Sequence, residues 1–138
     1  MSYDFRILDI HDNELYWCNY TSNIYEMVDT AYNKIKHKYT NTFCHWTDEL
    51  MYGDNPYQYL KDLIKELEDH EDYKQYNPKN GWGSYTTFIQ ILKEIKTEME
   101  KYDLNKIKNP LSTFPAAFNF VVCCFFLRSA LQILNIIW

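Results

Sequence analysis

The string Asn77-Pro78-Lys79-Asn80-Gly81-Trp82-Gly83-Ser84-Tyr85 joins two amphipathic segments and is the most distinctive run in the chain. Two glycines permit a tight turn around a large aromatic side chain, and Ser84 stands where it can cap the helix that follows. A helix N-terminus offers free N–H groups and the positive end of the dipole, so a phosphate or nucleotide could settle there and stack on Trp82. The string lacks the lysine and the spacing of a phosphate loop. Packing is the other reading, in which Trp82 plugs the space between two helices, Asn80 is a turn residue and Ser84 is a cap.

A second group of candidate contact residues lies upstream. Trp17 precedes Asn19-Tyr20-Thr21-Ser22-Asn23, several of whose side chains are able to accept from the free N–H groups of a helix start. Tyr16, Trp17, Tyr20 and Tyr25 cluster here, in a chain with 13 Tyr, 8 Phe and 4 Trp, 18% of its residues. One small core cannot easily enclose so many rings. Some should lie at a protein–protein surface, where Tyr and Trp dominate binding energy, or else rim the core with their hydroxyls in water.

With both strings in view, the chain resembles a family of small proteins found mainly in bacteriophages and prophages. The likeness rests on N-P-x-N-G-W-G-x-Y at Asn77 to Tyr85, and on a helix start of the form N-x-T-H-N, here Asn19-Tyr20-Thr21-Ser22-Asn23. It covers about residues 3 to 102. Ser22 stands where that family usually has His, and the family typically closes with a short polar-flanked strand where this chain has a long apolar tail. The resemblance implies a phage or prophage origin and assigns no activity.

The remaining reactive residues do not assemble into a catalytic pattern. His11-Asp12, His37, Cys44-His45 and His70-Glu71-Asp72 supply donors, yet no H-E-x-x-H or paired C-x-x-C occurs. Cys44 and His45 are adjacent, and adjacent side chains in an extended segment point apart. Cys18, Cys44, Cys123 and Cys124 include no C-x-x-C, and without an export signal they read as reduced thiols in a cytosol. Asp69 and Glu71 sit at a charged helix end, where water keeps carboxyl pKa values ordinary. The expectation is a non-enzymatic protein with no cofactor and no metal.

The elements that hold these residues follow from periodicity. Tyr3, Phe5 and Ile7 alternate with Asp4, Arg6 and Leu8, the pattern of a half-buried strand. Turn residues at His11 to Glu14 let Leu15 to Cys18 return as a second strand. Ile24, Met27, Val28, Ala31, Tyr32 and Ile35 predict a first helix over about 22–37. Thr40 to Gly53 reads as a packed connection with one helical turn. Asp54-Asn55-Pro56 starts a second helix over about 55–70, striped by Tyr59, Leu60, Leu63, Ile64 and Leu67. Ser84 starts a third, with Tyr85, Phe88, Ile91, Leu92, Ile95 and Met99 on its apolar side, ending near Tyr102.

At 138 residues, 46% hydrophobic and 24% charged, the chain fits one domain with a packed core. Of its 14 basic and 19 acidic residues only Arg128 lies beyond residue 108. The division is therefore a domain over 1–108 and an apolar segment over 109–138, packed on the domain or at a subunit interface. From Phe114 to Trp138 the segment is interrupted only by Pro115, Asn119, Arg128, Ser129, Gln132 and Asn135. It is long enough to span a bilayer, but a central Arg costs roughly 2.5–3.5 kcal/mol there. A strand near 118–127 followed by a short helix is the expected structure. The fold class is α+β, mostly helical, with an N-terminal hairpin packed on three main helices and an apolar C-terminal strand and helix.

A net charge of −5 with no run of bases disfavours direct nucleic-acid binding. Three functions remain. The first is a phage-type accessory protein that acts in the host cytoplasm by binding a host protein, as an inhibitor of a defence component, with carboxylates able to take the place of phosphates. The second is a nucleotide-binding or sequestering protein. The third is a protein associated with a membrane through its tail. Exposed apolar surface on the tail points to a homo-oligomer. The residues expected to touch a ligand or partner are Trp17, Asn19, Thr21, Ser22, Asn23, Asn80, Gly81, Trp82, Gly83 and Tyr85.

Overall fold

Alternation builds the sheet. In strand β1, Ser2–Leu8, the side chains of Tyr3, Phe5 and Ile7 are buried, and those between them are half-exposed. The computed structural model describes residues 2–39, 43–102 and 112–115. Strand β2, Glu14–Thr21, pairs antiparallel with β1 so that Tyr3 faces Tyr20, Asp4 faces Asn19 and Arg6 faces Trp17. The connection is held by Asp9, whose Oδ1 accepts from the amides of His11 at 2.8 Å and Asn13 at 2.9 Å, while Asp12 turns the chain with a φ of 64°. A bulge at Ile7/Leu8 shifts the register beside the turn.

The expected hairpin is thus present, and a third strand joins it. Strand β3, Ser112–Pro115, pairs antiparallel with the other edge of β1 and gives the order β2-β1-β3. The segment after residue 108 therefore contributes to the sheet. The strand expected near 118–127, the helix after Arg128 and the membrane association built on them lie outside the described residues. Among the described residues no helix is long and apolar enough to cross a membrane.

The fold is α+β and mostly helical, as the periodicity implies. Helix α1 runs over Tyr25–Ile35 and buries Met27, Val28, Ala31, Tyr32 and Ile35, then tightens into a 3-10 turn at Lys36–Lys38. Its expected side-chain cap is not made: the N-cap is Ile24, with no side-chain acceptor. Helix α2, Trp46–Tyr52, is longer than the single turn expected between Thr40 and Gly53. Helix α3, Pro56–Asp69, opens as the sequence specifies, with Pro56 at its start and Asn55 accepting from the Gln58 amide at 3.0 Å. A 3-10 stretch, Glu71–Tyr76, leads to helix α4, Tyr85–Glu100.

Trp46 sits where the sheet meets the helices. It is buried, its ring centroid 5.5 Å from Tyr3, 6.3 Å from Phe5 and 5.9 Å from Phe88. Each such ring, once removed from water, stabilises the fold by roughly 1.5–3 kcal/mol. Leu60, Leu63 and Leu67 of α3 and Phe88, Leu92, Ile95 and Met99 of α4 complete the same core.

Candidate functional site

The two strings that stand out in the sequence are joined in space. Gly81 closes a turn by donating its amide to the carbonyl of Pro78 at 3.3 Å, and the Trp82 amide donates to Asn80 Oδ1 at 3.0 Å. The carbonyl of Trp82 accepts from the amide of Asn23 at 2.9 Å. Beside it the Ser84 amide donates to the Tyr20 hydroxyl at 3.4 Å. Burial raises the Tyr20 pKa, and the Ser84 amide partly counters this.

Gly83 makes the joint possible. Its φ is +84°, and a Cβ added there would lie 2.5 Å from Ser22 Cβ and 2.9 Å from the Tyr20 hydroxyl oxygen. Ser22 is fully buried beneath it. Gly81 also has a positive φ, +74°, but faces open space. The first glycine serves the turn alone, whereas the second serves the turn and a close approach.

The opening of α4 is then closed by side chains of the turn that precedes it. Asn77 Oδ1 accepts from the Tyr85 amide at 2.7 Å, and Ser84 Oγ accepts from the Thr87 amide at 3.2 Å. With the Ser84 amide bound to Tyr20, the donors an anion would need are largely committed. Tyr85 is buried and donates to the Leu67 carbonyl at 2.5 Å, so it anchors the turn and leaves little of itself at the surface.

Trp82 corrects the packing expectation. Its backbone belongs to the joint, but the residue is 56% exposed and its side chain does not plug a space between helices. Asn80 and Gly81 beside it are also exposed. Trp17, Asn19 and Thr21 form a separate patch on the outer face of β2. Asn19 Nδ2 donates to Ser2 Oγ and to Asp4 Oδ1, both at 2.7 Å, and the Thr21 hydroxyl reaches Ser2 Oγ at 3.2 Å. Trp17 is 51% exposed there, opposite Arg6. Of the ten candidate residues, Ser22, Asn23, Asn80, Gly81, Trp82, Gly83 and Tyr85 meet at the joint.

Charge does not form a strip of one sign. Glu66 lies 3.8 Å from Lys34, Glu71 2.9 Å from Lys74, Glu98 2.6 Å from Lys101 and Glu100 2.8 Å from Lys96, while Asp69 pairs with Lys65 and Glu68 with Lys93. Lys65 holds the Asp69 carboxyl below the usual aspartate range, so the ordinary value expected for it from solvation is wrong. Among the described residues no three His, Cys, Asp or Glu side chains gather to hold a metal ion.

Sequence reasoning missed Glu49, which is 2% exposed on α2. Its signal is spacing: Trp46 and Leu50 define the inward face of α2, and Glu49 sits three residues after Trp46 on that same side. No family model matches the chain, and no curated protein or solved structure matches it either.

Proposed function

We propose that the chain is a non-catalytic, phage-type accessory protein that binds a host protein through the Trp82 turn, acting as an inhibitor of a defence component. The observation that carries this reading is the contrast within one residue: Trp82 is 56% exposed, yet its backbone is held at its amide by Asn80 and at its carbonyl by Asn23. An exposed indole on a fixed turn loses little conformational entropy on binding, and Trp is the side chain most enriched at the energetic centre of protein interfaces. The likeness of Asn77 to Tyr85 to phage proteins supplies the host as the source of the partner. The paired helix faces favour a contact made by shape and aromatic surface over mimicry of a phosphate chain.

The experiment is capture from host extract on immobilised wild-type chain and Trp82→Ala, with thermal unfolding of both. A host protein retained by the wild type and lost with the variant, at equal melting temperature, supports the reading. The same host proteins retained by both would overturn it. Nucleotide titration separates the second function: binding heat that vanishes in Trp82→Ala would move the turn to a small-ligand role.

A further inference from the structure

Glu49 lies inside a group of tyrosines. Its carboxyl group acts electrostatically on the hydroxyls of Tyr32 on α1, Tyr59 on α3 and Tyr39 just after the Lys36–Lys38 turn. Each hydroxyl already donates elsewhere: Tyr32 to the Phe43 carbonyl at 3.3 Å, Tyr59 to the Trp46 carbonyl at 2.9 Å and Tyr39 to Asp62 Oδ2 at 2.5 Å. None has a proton left for Glu49. Its Oε1 is buried with no hydrogen-bond partner among the described residues. Gly53 closes over the other oxygen so tightly that a Cβ there would lie 2.6 Å from Oε2.

The charged neighbours make the site worse for an anion. Asp48 on α2 and Asp54 after it both repel the Glu49 carboxylate. From α1 and α3 the facing titratable groups are Tyr32 and Tyr59, and Tyr39 brings Asp62 behind it. Strand β3, which packs against α2, has no titratable residue in Ser112–Pro115. Among the described residues no Lys, Arg or His forms an ion pair with Glu49. A buried carboxylate without a cation or a full set of donors gives up its hydration uncompensated, and the neutral acid avoids most of that loss.

We propose that Glu49 is a proton-operated latch on α2: as the neutral acid it leaves α2 seated against α1, α3 and β3, and on losing its proton it loosens that seat. Burial, with Asp54 and Asp48, holds the folded-state carboxyl above the usual glutamate range. Stability from the latch is therefore complete below the unfolded value of about 4.3 and is lost as pH rises through the folded value. Because β3 lies on the edge of β1, the looser state also weakens that edge. The latch involves none of the Trp82 turn and stands whether or not that turn binds a partner.

The test is amide exchange of α2 in the full chain from about pH 5 to pH 7.5, corrected for intrinsic base catalysis. In the wild type, α2 should lose protection severalfold relative to α3 as pH rises from the unfolded value of about 4.3 and the carboxyl gives up its proton. Glu49→Gln should hold its α2 protection constant, at or above the wild-type level. A wild type without pH dependence, or a variant with the wild-type slope, would overturn the latch. A carbon-detected titration of the Glu49 carboxyl in the wild type decides the matter if Glu49→Gln does not fold: a midpoint above the glutamate range supports the latch, and one at or below about 4.3 removes it.

Discussion

The amide of Asn23 donates to the carbonyl of Trp82 at 2.9 Å and so ties the approach to α1 to the approach to α4. Beside this bond the Tyr20 hydroxyl takes the Ser84 amide, and Gly83 presses on Ser22. Three contacts between distant parts of the chain thus fix the turn on which Trp82 is displayed. The consequences divide by residue.

Gly83 and Gly81 should respond very differently to alanine. At Gly81 the added methyl meets open space, and only the positive φ is penalised, at about 1 kcal/mol. At Gly83 the same backbone penalty adds to a clash with Ser22 Cβ, an atom fixed to its own backbone, for a total of about 3 kcal/mol. Urea denaturation of the two variants checks this, and equal losses would contradict the account of the joint.

Trp46 and Trp82 make a second contrast. Trp46 is 1% exposed among Tyr3, Phe5 and Phe88, so Trp46→Ala should cost about 3–5 kcal/mol. Trp82→Ala removes an exposed ring and leaves both backbone hydrogen bonds, so its cost should stay within about 0.5 kcal/mol. Denaturation midpoints measured side by side decide it. A large loss at Trp82 would mean that the ring packs after all.

These contrasts show what the sequence could and could not convey. The stripe Leu60, Leu63, Ile64, Leu67 and the pair Asn55-Pro56 specify α3 locally, and Ser84 does the same for α4, so both helices were legible. The direction of the Trp82 ring was not. A tryptophan between two glycines reads alike as a plug or as a displayed contact, and the choice is made by the approach of Gly83 to Ser22, far away in sequence. Strand β3 was missed because four residues ending in Pro115 carry too little alternation, and its pairing with β1 is long-range. The cap expected for α1 failed for a related reason: the Asn23 amide and Ser22 are drawn into the joint with the Trp82 turn, leaving Ile24 at the N-cap.

The α4 start should be sensitive to its caps. Ser84→Ala removes the acceptor for the Thr87 amide, and Asn77→Ala removes the acceptor for the Tyr85 amide, each costing about 1 kcal/mol. Asn77→Ala should also raise amide exchange at Tyr85 specifically, because that donor is left without its partner. Unchanged exchange at Tyr85 would show that another acceptor takes over.

The hairpin turn should carry its own pH dependence, opposite in sign to that of Glu49. Asp9 accepts from the Asn13 side chain at 2.8 Å and from the amides of Asn13 and His11, and these donors hold its carboxyl below the usual aspartate range. Its folded value lies under the unfolded one, so its stabilisation is present above about pH 4 and is lost as pH falls through the folded value. Acidification should therefore lower the protection of the His11 and Asn13 amides, relative to their intrinsic exchange, while leaving that of α3 unaffected. In Asp9→Asn, which has no proton to gain, the protection of those two amides relative to their intrinsic exchange should no longer depend on pH across this range. A carbon-detected titration that places Asp9 at the ordinary aspartate value, or an Asp9→Asn turn with the wild-type acid response, would show that the donors do not favour the charged form.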